Sequence, residues 1–405
     1  MKTTRTFYEF FAGGGMARSG LGPRWECLFA NDNDEKKAAA YRCNFGATEL
    51  LVEDVGRLNA SLVKGAADLA WASFPCQDLS LAGNGAGLRG ERSGTFWSFW
   101  RLIQNLRKEG RAPRLVVLEN VCGALTSHNG RDFAAIGDAL AGAGYRFGAL
   151  VIDSVKFVPQ SRPRLFVIGA STSLAIPPDL SGAASDEKWT SPALSMAQTR
   201  LSRDSAKNWV WWTLPAPHQP KRLLSDLLEE NPTGVAWHAP EDTRRLIDLM
   251  SELNRAKVSE KKRESKLTRR KVVGTIYKRT RPDDAGKKRQ RAEVRFDEIA
   301  GCLRTPAGGS SRQTILVIEG DTVRSRLLSS REAARLMGLR DDYQLPQRYN
   351  EAYHLAGDGL VVPVVRYLAE FLLEPLLDAN DPSIGLVPEL PSKSGSFAVN
   401  GNLLA

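Results

Sequence analysis

Three side-chain types that can share one reaction recur at strand ends in the first 170 residues of this 405-residue chain. Cys76 follows the apolar run Asp68–Ser73, in Ser73-Phe74-Pro75-Cys76-Gln77. Glu119 closes the run that begins Arg114-Leu115-Val116-Val117-Leu118 and is followed by Asn120-Val121. Arg162 and Arg164 open a third run, Gln160-Ser161-Arg162-Pro163-Arg164-Leu165-Phe166-Val167-Ile168. A lone cysteine is ordinarily a small buried hydrophobe. At the carboxyl end of a sheet strand, beside the glycine-rich, charged stretch Ala82–Gly94, it lies instead where α/β folds place ligands and where a loop can close. A thiolate is a nucleophile. A carboxyl at the end of a buried strand must be paired or protonated. Arginines stabilise developing negative charge. Together they form one constellation for covalent catalysis.

A second feature points to a ligand. Phe7-Tyr8-Glu9-Phe10-Phe11-Ala12-Gly13-Gly14-Gly15 reads as a strand running into a glycine turn and a helix. The dinucleotide pattern GxGxxG is absent. About 20 residues on, the next strand ends in Asn31-Asp32-Asn33-Asp34, where an acid can accept from two ribose hydroxyls. A nucleoside-bearing cofactor and a tight structural turn both fit this spacing.

The elements that must position these groups are short apolar runs of strand length at Thr6–Phe11, Glu26–Ala30, Asp68–Ser73, Leu115–Glu119 and Arg164–Gly169. Helix-like stretches separate them. The clearest is Phe96–Leu106, where Phe96, Phe99, Trp100, Ile103 and Leu106 recur at helical spacing. Alternating strands and helices predict a parallel sheet covered on both faces. After Ile168 the texture changes. Residues 171–325 hold five of the nine tryptophans (Trp189, Trp209, Trp211, Trp212, Trp237), read as core of a second, smaller domain. Helical pattern returns at Ser330–Leu339 and Pro363–Leu377, and the Pro-, Gly- and Ser-rich tail from Asp378 is expected to be loosely held.

Composition narrows the class. The chain is 42% hydrophobic and 25% charged, the balance of a soluble globular protein. No apolar run approaches the roughly 18 residues of a membrane span, and Met1–Thr6 lacks a signal-like apolar stretch. Five cysteines without a CxxC pair argue against a disulfide framework or zinc ribbon, and His128, His218, His238 and His354 have no metal spacing. No metal, no membrane and a cytoplasmic setting are expected. The charge is uneven: residues 254–295 carry 17 Lys/Arg against 5 Asp/Glu, more than the whole excess of +10. Such a block reads as a footprint for nucleic acid, or as a solvated loop.

At this point a resemblance carries further than spacing. Phe11-Ala12-Gly13, Pro75-Cys76-Gln77, Glu119-Asn120-Val121 and Gln160-x-Arg162-x-Arg164 resemble, in order and spacing, blocks of the DNA cytosine-5 methyltransferases. Ser329-Ser330-Arg331-Glu332-Ala333-Ala334-Arg335-Leu336-Met337-Gly338 and Gly357-Asp358-Gly359-Leu360-Val361-Val362-Pro363 resemble that family's last two. The resemblance covers residues 5–170 and 325–375 and implies an α/β fold: a Rossmann-like S-adenosylmethionine-dependent methyltransferase sheet with a smaller irregular target-recognition domain. The implied division is 1–180 catalytic and cofactor-binding, 181–325 target-recognition, 326–378 a C-terminal return, and 379–405 a loosely held tail.

The resemblance implies that Cys76 adds to cytosine C6, that Glu119 assists at N3 and the N4 amino group, and that Arg164 stabilises charge on the O2 side. Arg162 would support them or the phosphate backbone, and Asn120 would order the Pro75–Cys76 turn. The implied cofactor is S-adenosyl-L-methionine. Phe11 would stack on adenine, Ala12, Gly13 and Gly15 would line the methionine moiety, Asp32 would hold the ribose and Asp54 the adenine amino group. Pro75 and Phe96 complete that set, with Thr95 beside Phe96. The implied partner is double-stranded DNA, met by a monomer, with a cognate restriction endonuclease acting separately. Gln77 and Ser80 belong to the loop expected to close on a flipped nucleotide. Three departures stand out. The glycine turn is one residue short, Asn33 replaces a frequent aromatic, and Asp358-Gly359 replaces an Asn and a small residue.

For target reading, the loop Gly301–Thr314 offers Arg304, Thr305, Arg312 and Gln313, since Arg bonds bidentately to guanine and Gln to adenine. A surface hairpin is the other reading. The Lys261–Arg291 cluster, with Lys287, Lys288 and Arg289, would grip phosphates. Cys122 and Cys302 are read as structural. A tRNA methyltransferase of the same fold and a catalytically inactive DNA-binding homologue are the competing functions.

Overall fold

Apolar runs too short for helices, each followed by a turn and a helical stretch, build a seven-stranded sheet. A computed structural model describes residues 4–75, 94–217, 222–282, 286–304 and 312–381. The strands are β1 (Arg5–Phe10), β2 (Trp25–Asp32), β3 (Leu50–Val52), β4 (Leu69–Ala72), β5 (Leu115–Val121), β6 (Tyr145–Asp153) and β7 (Pro163–Ser171), in the order β3-β2-β1-β4-β5-β7-β6. β3, β2, β1, β4 and β5 pair in parallel, whereas β7 runs antiparallel to both β5 and β6. The expectation of a wholly parallel sheet is corrected at β7. Its connection from β6 is a short loop, too short for a crossover helix, and so returns the chain in the opposite direction. β3 and β6 were not expected: one is three residues long, and the other is broken by Gly148 and ends in Asp153.

Side chains alternate across the sheet. One face receives Tyr8, Phe10, Val116, Leu118, Leu165 and Val167, packed under α3 (Thr95–Lys108) and α4 (Arg131–Gly142), after the brief α1 (Met16–Leu21) and α2 (Glu35–Phe45). The periodic residues of the predicted 96–106 helix are all buried here. The opposite face receives Phe7, Leu115, Val117, Phe166 and Ile168, under α1 and the returning C-terminal helices.

Between them lie α5 (Pro192–Gln198), α6 (Arg203–Lys207), a minimal pair of strands β8 (Ser181–Gly182) and β9 (Trp211–Trp212), α7 (Pro240–Asp248) and α8 (Glu252–Thr268). A four-stranded antiparallel sheet follows, β11-β10-β12-β13, from β10 (Val272–Pro282), β11 (Lys288–Arg295), β12 (Thr314–Glu319) and β13 (Thr322–Leu327). It buries its own small cluster, including Ile276, Ala292, Val294 and Leu316, against Leu246, Met250 and Val258 of the preceding helical stretch. The tryptophans are a correction: Trp189 and Trp212 pack on the large sheet, with Trp212 Nε1 donating to Ile168 O at 3.3 Å, and Trp209 stacks edge-on to Phe147 of β6. These three join the later segment to the seven-stranded sheet, whereas Trp237 lies against Arg324 and Arg326 of β13.

The chain then returns through α9 (Ser330–Leu336), α10 (Tyr349–Asp358), α11 (Val362–Leu368) and α12 (Glu374–Asp378). Asp378 and Asp381 pair with Arg5 at 2.6 and 3.1 Å, which ties the start of the expected loose tail to β1. Residues 382–405 lie outside the described residues.

The fully buried pair Arg326–Glu332 fixes the return, at 2.7 Å from both guanidinium nitrogens. Glu332 also accepts from the backbone N–H groups of Ser329 and Glu229, each at 2.8 Å. Glu332→Ala strands a buried arginine and should cost about 3–5 kcal/mol, read as a lower urea midpoint; Glu332→Gln, which keeps an acceptor, should recover part of the loss.

Candidate active site

From β1 the chain steps to β2 and β3 on one side, and from β4 to β5 on the other, so the strand order reverses between β1 and β4. Open α/β sheets bind ligands beyond the carboxyl ends of the strands at such a point. Here it opens as a cavity of about 260 Å³. Its lining unites Phe11, Ala12, Gly13, Asp32, Asn33, Pro75, Glu119, Asn120, Arg162 and Arg164 with Asp358 and Gly359 of the last block. Alternation explains the company: Glu9 of β1, Trp71 and Ser73 on β4 and its exit, and Glu119 of β5 share the parity of Phe7, Leu69 and Leu115, so all face one side.

At one end stand the acid and the cations. Because β7 is antiparallel, its first residues meet the carboxyl end of β5, with Val121 opposite Arg164. Arg164 Nε lies 3.3 Å from Glu119 Oε1. Burial pushes the Glu119 carboxyl up from its ordinary value, against the opposing pull of Arg164, Arg162 and a Ser73 hydrogen bond. Asn120 Nδ2 donates to Phe74 O at 3.3 Å and its Oδ1 accepts from Val121 N–H at 2.8 Å, tying the exit of β4 to β5. Arg162 behaves differently from Arg164. Its guanidinium donates to Leu303 O at 3.0 Å, Gly357 O at 2.8 Å, Gly359 O at 2.9 Å and Cys302 Sγ at 3.3 Å. It is a tie between three segments, not a group directed at Glu119. Cys302, read as structural, stands beside both arginines, with Arg164 Nη2 at 3.8 Å. Burial raises its thiol, but Arg162 and Arg164 outweigh that and hold it below the ordinary thiol value. Cys76, Gln77 and Ser80 lie outside the described residues.

At the other end lies the glycine turn. Phe11 is held at φ 56°, a conformation that costs a non-glycine residue about 1–3 kcal/mol and that marks functional sites. Asp32 Oδ2 accepts from Gly13 N–H at 2.7 Å and Oδ1 from Asp34 N–H at 2.8 Å, so the carboxylate shapes the turn it faces. At Gly14 a Cβ would press on the Tyr343 hydroxyl and Leu355, which would have to shift. Gly15 caps α1 outside the cavity lining. Two expected cofactor residues stand outside the cavity lining. Phe96 is fully buried against Phe74, ring centroids 5.4 Å apart, behind the cavity wall. Asp54 caps a 3₁₀ turn, accepting from Gly56 N–H at 2.6 Å, and does not line the cavity.

Among the base-reading candidates, Gln313 is corrected outright. It is buried, its amide donates to Ile276 O and Thr314 O at 3.1 Å, and its Oε1 accepts from Gly301 N–H. Arg312 donates to Asn350 Oδ1 at 2.5 Å and lies over the Tyr349 ring. Arg304 is exposed, and Thr305 lies outside the described residues. Lys287, Lys288 and Arg289 are exposed at the far end of β11 and the turn before it. Among the described residues no cluster of metal-ligating side chains occurs, and no helix is long and apolar enough to cross a membrane.

The sequence matches the family described as C-5 cytosine-specific DNA methylase over residues 5–374. The chain belongs to that family. It is a DNA cytosine-5 methyltransferase whose methyl donor is S-adenosylmethionine. It is 25% identical to the type II methyltransferase M.BsuFI of Bacillus subtilis, over 93% of this chain and 74% of that one. It is 24% identical to the type II methyltransferase M.HhaI of Haemophilus parahaemolyticus, over 90% of this chain and 92% of that one. In fold it resembles the Entamoeba histolytica methyltransferase EhMeth (TM-score 0.62, 14% identity, 93% and 99% covered) and the S. pombe Dnmt2 methyltransferase (TM-score 0.57, 16% identity, 92% and 99% covered).

The cavity fits that donor on one observation that sequence reading missed. Glu9 is 1% exposed and lines the cavity, and its Oε2 has no hydrogen-bond partner. With Asp32 beside it, the acids suit a molecule carrying positive sulfonium and ammonium centres. Its signal in the sequence was a lone acid inside the apolar run Phe7–Phe11. Burial raises the Glu9 carboxyl from 4.5 to about 8, opposed by the backbone N–H and charge of Arg18. An acid raised on folding stabilises the fold fully below pH 4.5 and loses that contribution as pH climbs through about 8. Glu9→Gln should therefore melt like the wild type near pH 4.5 and at higher temperature than it near pH 8.5, a difference on the order of 1–4 kcal/mol. Equal melting curves at both pH values would remove the assignment.

Proposed function

We propose that this enzyme methylates carbon 5 of a cytosine turned out of double-stranded DNA, within a specific sequence read by residues 181–325. The reading is supported most by one observation: a buried carboxyl with a raised pKa, 3.3 Å from an arginine, in the cavity that also holds the glycine turn.

Cytosine C5 is a weak nucleophile. Cys76, following Pro75 at the exit of β4, adds as thiolate to C6. The electron pair of the C5–C6 double bond moves toward N3 and O2. Glu119 holds a proton at N3 and accepts from the N4 amino group. Arg164 faces the O2 side and stabilises the charge there. C5 then carries the nucleophilic density. S-adenosylmethionine supplies, when bound, an electrophilic methyl on a sulfonium sulfur. Phe11 offers its ring to adenine, Asp32 its remaining acceptor capacity to the ribose, and the Ala12–Gly13 backbone lines the methionine end. Loss of the C5 proton to water and departure of Cys76 restore the ring. Asn120 and Arg162 act by positioning. Lys287, Lys288 and Arg289 hold phosphates. From the bacterial type II relatives we infer a cytoplasmic monomer, with a restriction endonuclease acting separately.

Duplex DNA carrying 5-fluorocytosine cannot release a C5 proton and should trap a covalent adduct with the wild type and none with Cys76→Ala. Methyl transfer to tRNA alone would reverse the choice of substrate. Glu119→Gln should lower turnover by about 10²–10⁴-fold while leaving cofactor affinity within a few-fold; equal losses in both would contradict its role. The triple change of Lys287, Lys288 and Arg289 to Ala should weaken all duplexes alike and flatten the dependence on salt, measured by titration across 50–200 mM.

A further inference from the structure

With Gln313 and Arg312 engaged internally, base reading needs another surface, and the small sheet presents one. β10 pairs with β12 only as far as Ile276 opposite Thr314. Beyond that point β10 and β11 continue together as a two-stranded ribbon, from Tyr277 opposite Glu293 to Pro282 opposite Lys288. Six of its twelve residues are Lys or Arg and one is acidic. An isolated ribbon without an apolar face is marginal in water. This one is anchored at its base, where Ala292 N–H donates to Leu249 O at 3.0 Å. Its charge calls for a polyanion.

The register sorts the charges. Arg279 stands directly opposite Arg291. Like charges so placed repel, and the arrangement works against the free fold. Arg279 is oriented nonetheless: its guanidinium lies 5.8 Å from the centre of the Tyr277 ring, and its Nε is 3.4 Å from Glu293. Tyr277, on the same face, packs so close to Gly301 that a side chain there would collide with it. The next residue, Cys302, touches Arg162 and Arg164. Through Tyr277, Gly301 and Cys302 the strand that bears Arg279 is thus linked to the arginines of the cavity wall. A two-stranded ribbon fits the major groove, and an oriented guanidinium forms two bonds to guanine O6 and N7.

We propose that Arg279 and Arg291 read guanines in the major groove of the target duplex. The proposal rests on the duplex-DNA reading above. The test is a library of duplexes with randomised positions around a central cytosine, methylated and then bisulfite-sequenced. The wild type should select a site containing guanine. Arg279→Ala and Arg291→Ala should each relax preference at a guanine position by about 5- to 150-fold, with other positions unchanged. Lys288→Ala should slow every sequence together. Melting temperature and S-adenosylmethionine affinity matching the wild type would show that the arginine variants fold. A site without guanine, or arginine variants that keep the wild-type preference while slowing uniformly, would overturn the proposal and leave the ribbon as a phosphate clamp. A wild type that methylates no duplex would overturn the underlying reading, and this one with it.

Discussion

A carboxyl among arginines keeps its proton only while desolvation outweighs them. Glu119 stands in that balance. Burial raises it, Arg164 and Arg162 lower it, and the net direction is upward. The outcome depends on where the second arginine points. Arg162 donates to three backbone carbonyls and a sulfur, none of them on Glu119. Were that guanidinium free to turn onto the carboxyl, a second close cation would pull its pKa back down. The segments around residues 303 and 357–359 therefore tune an acid they do not touch. This gives the C-terminal return a chemical consequence beyond covering the sheet.

The geometry behind the balance is a matter of strand direction and parity. A parallel strand in the place of β7 would put its first residues at the amino end of β5, far from Glu119. The reversal brings Arg164 opposite Val121 at the carboxyl edge. Parity then sets the face. A slip of one residue in β5 would turn Glu119 into the apolar cluster of Val116, Leu118 and Phe99, away from Arg164. The same parity places Glu9 on the cavity side, so both ends of the site rest on one period-two pattern.

Much of this was legible in the residues. The strand ends at Phe11, Glu119 and Arg164, the amphipathic 96–106 stretch and the local basic block each carried a physical signal. What escaped was whatever depended on partners distant in sequence. Strand direction is not written in composition, so β7 read as parallel. Gln313 has the chemistry of a base reader, but its amide is satisfied by Ile276 and Gly301. Phe96 matched a block by position, yet its ring joins the core beside Phe74. Trp189, Trp209 and Trp212 fell within a separate stretch of sequence but pack on the large sheet, whereas Trp237 lies against Arg324 and Arg326 of β13. Glu9 was hidden by its surroundings, since a single acid in an apolar strand gives no periodic signal.

The net charge of +10 is unevenly spread. The cavity is lined by Glu9, Asp32, Glu119 and Asp358, with Lys37 paired to Asp358 at 2.8 Å and Arg164 to Glu119. The strands of the ribbon carry six lysines and arginines against one acid, Glu293, which lies 3.4 Å from Arg279. The positive excess is shared between residues 254–271 and the strands β10 and β11, a concentration that suits a polyanion.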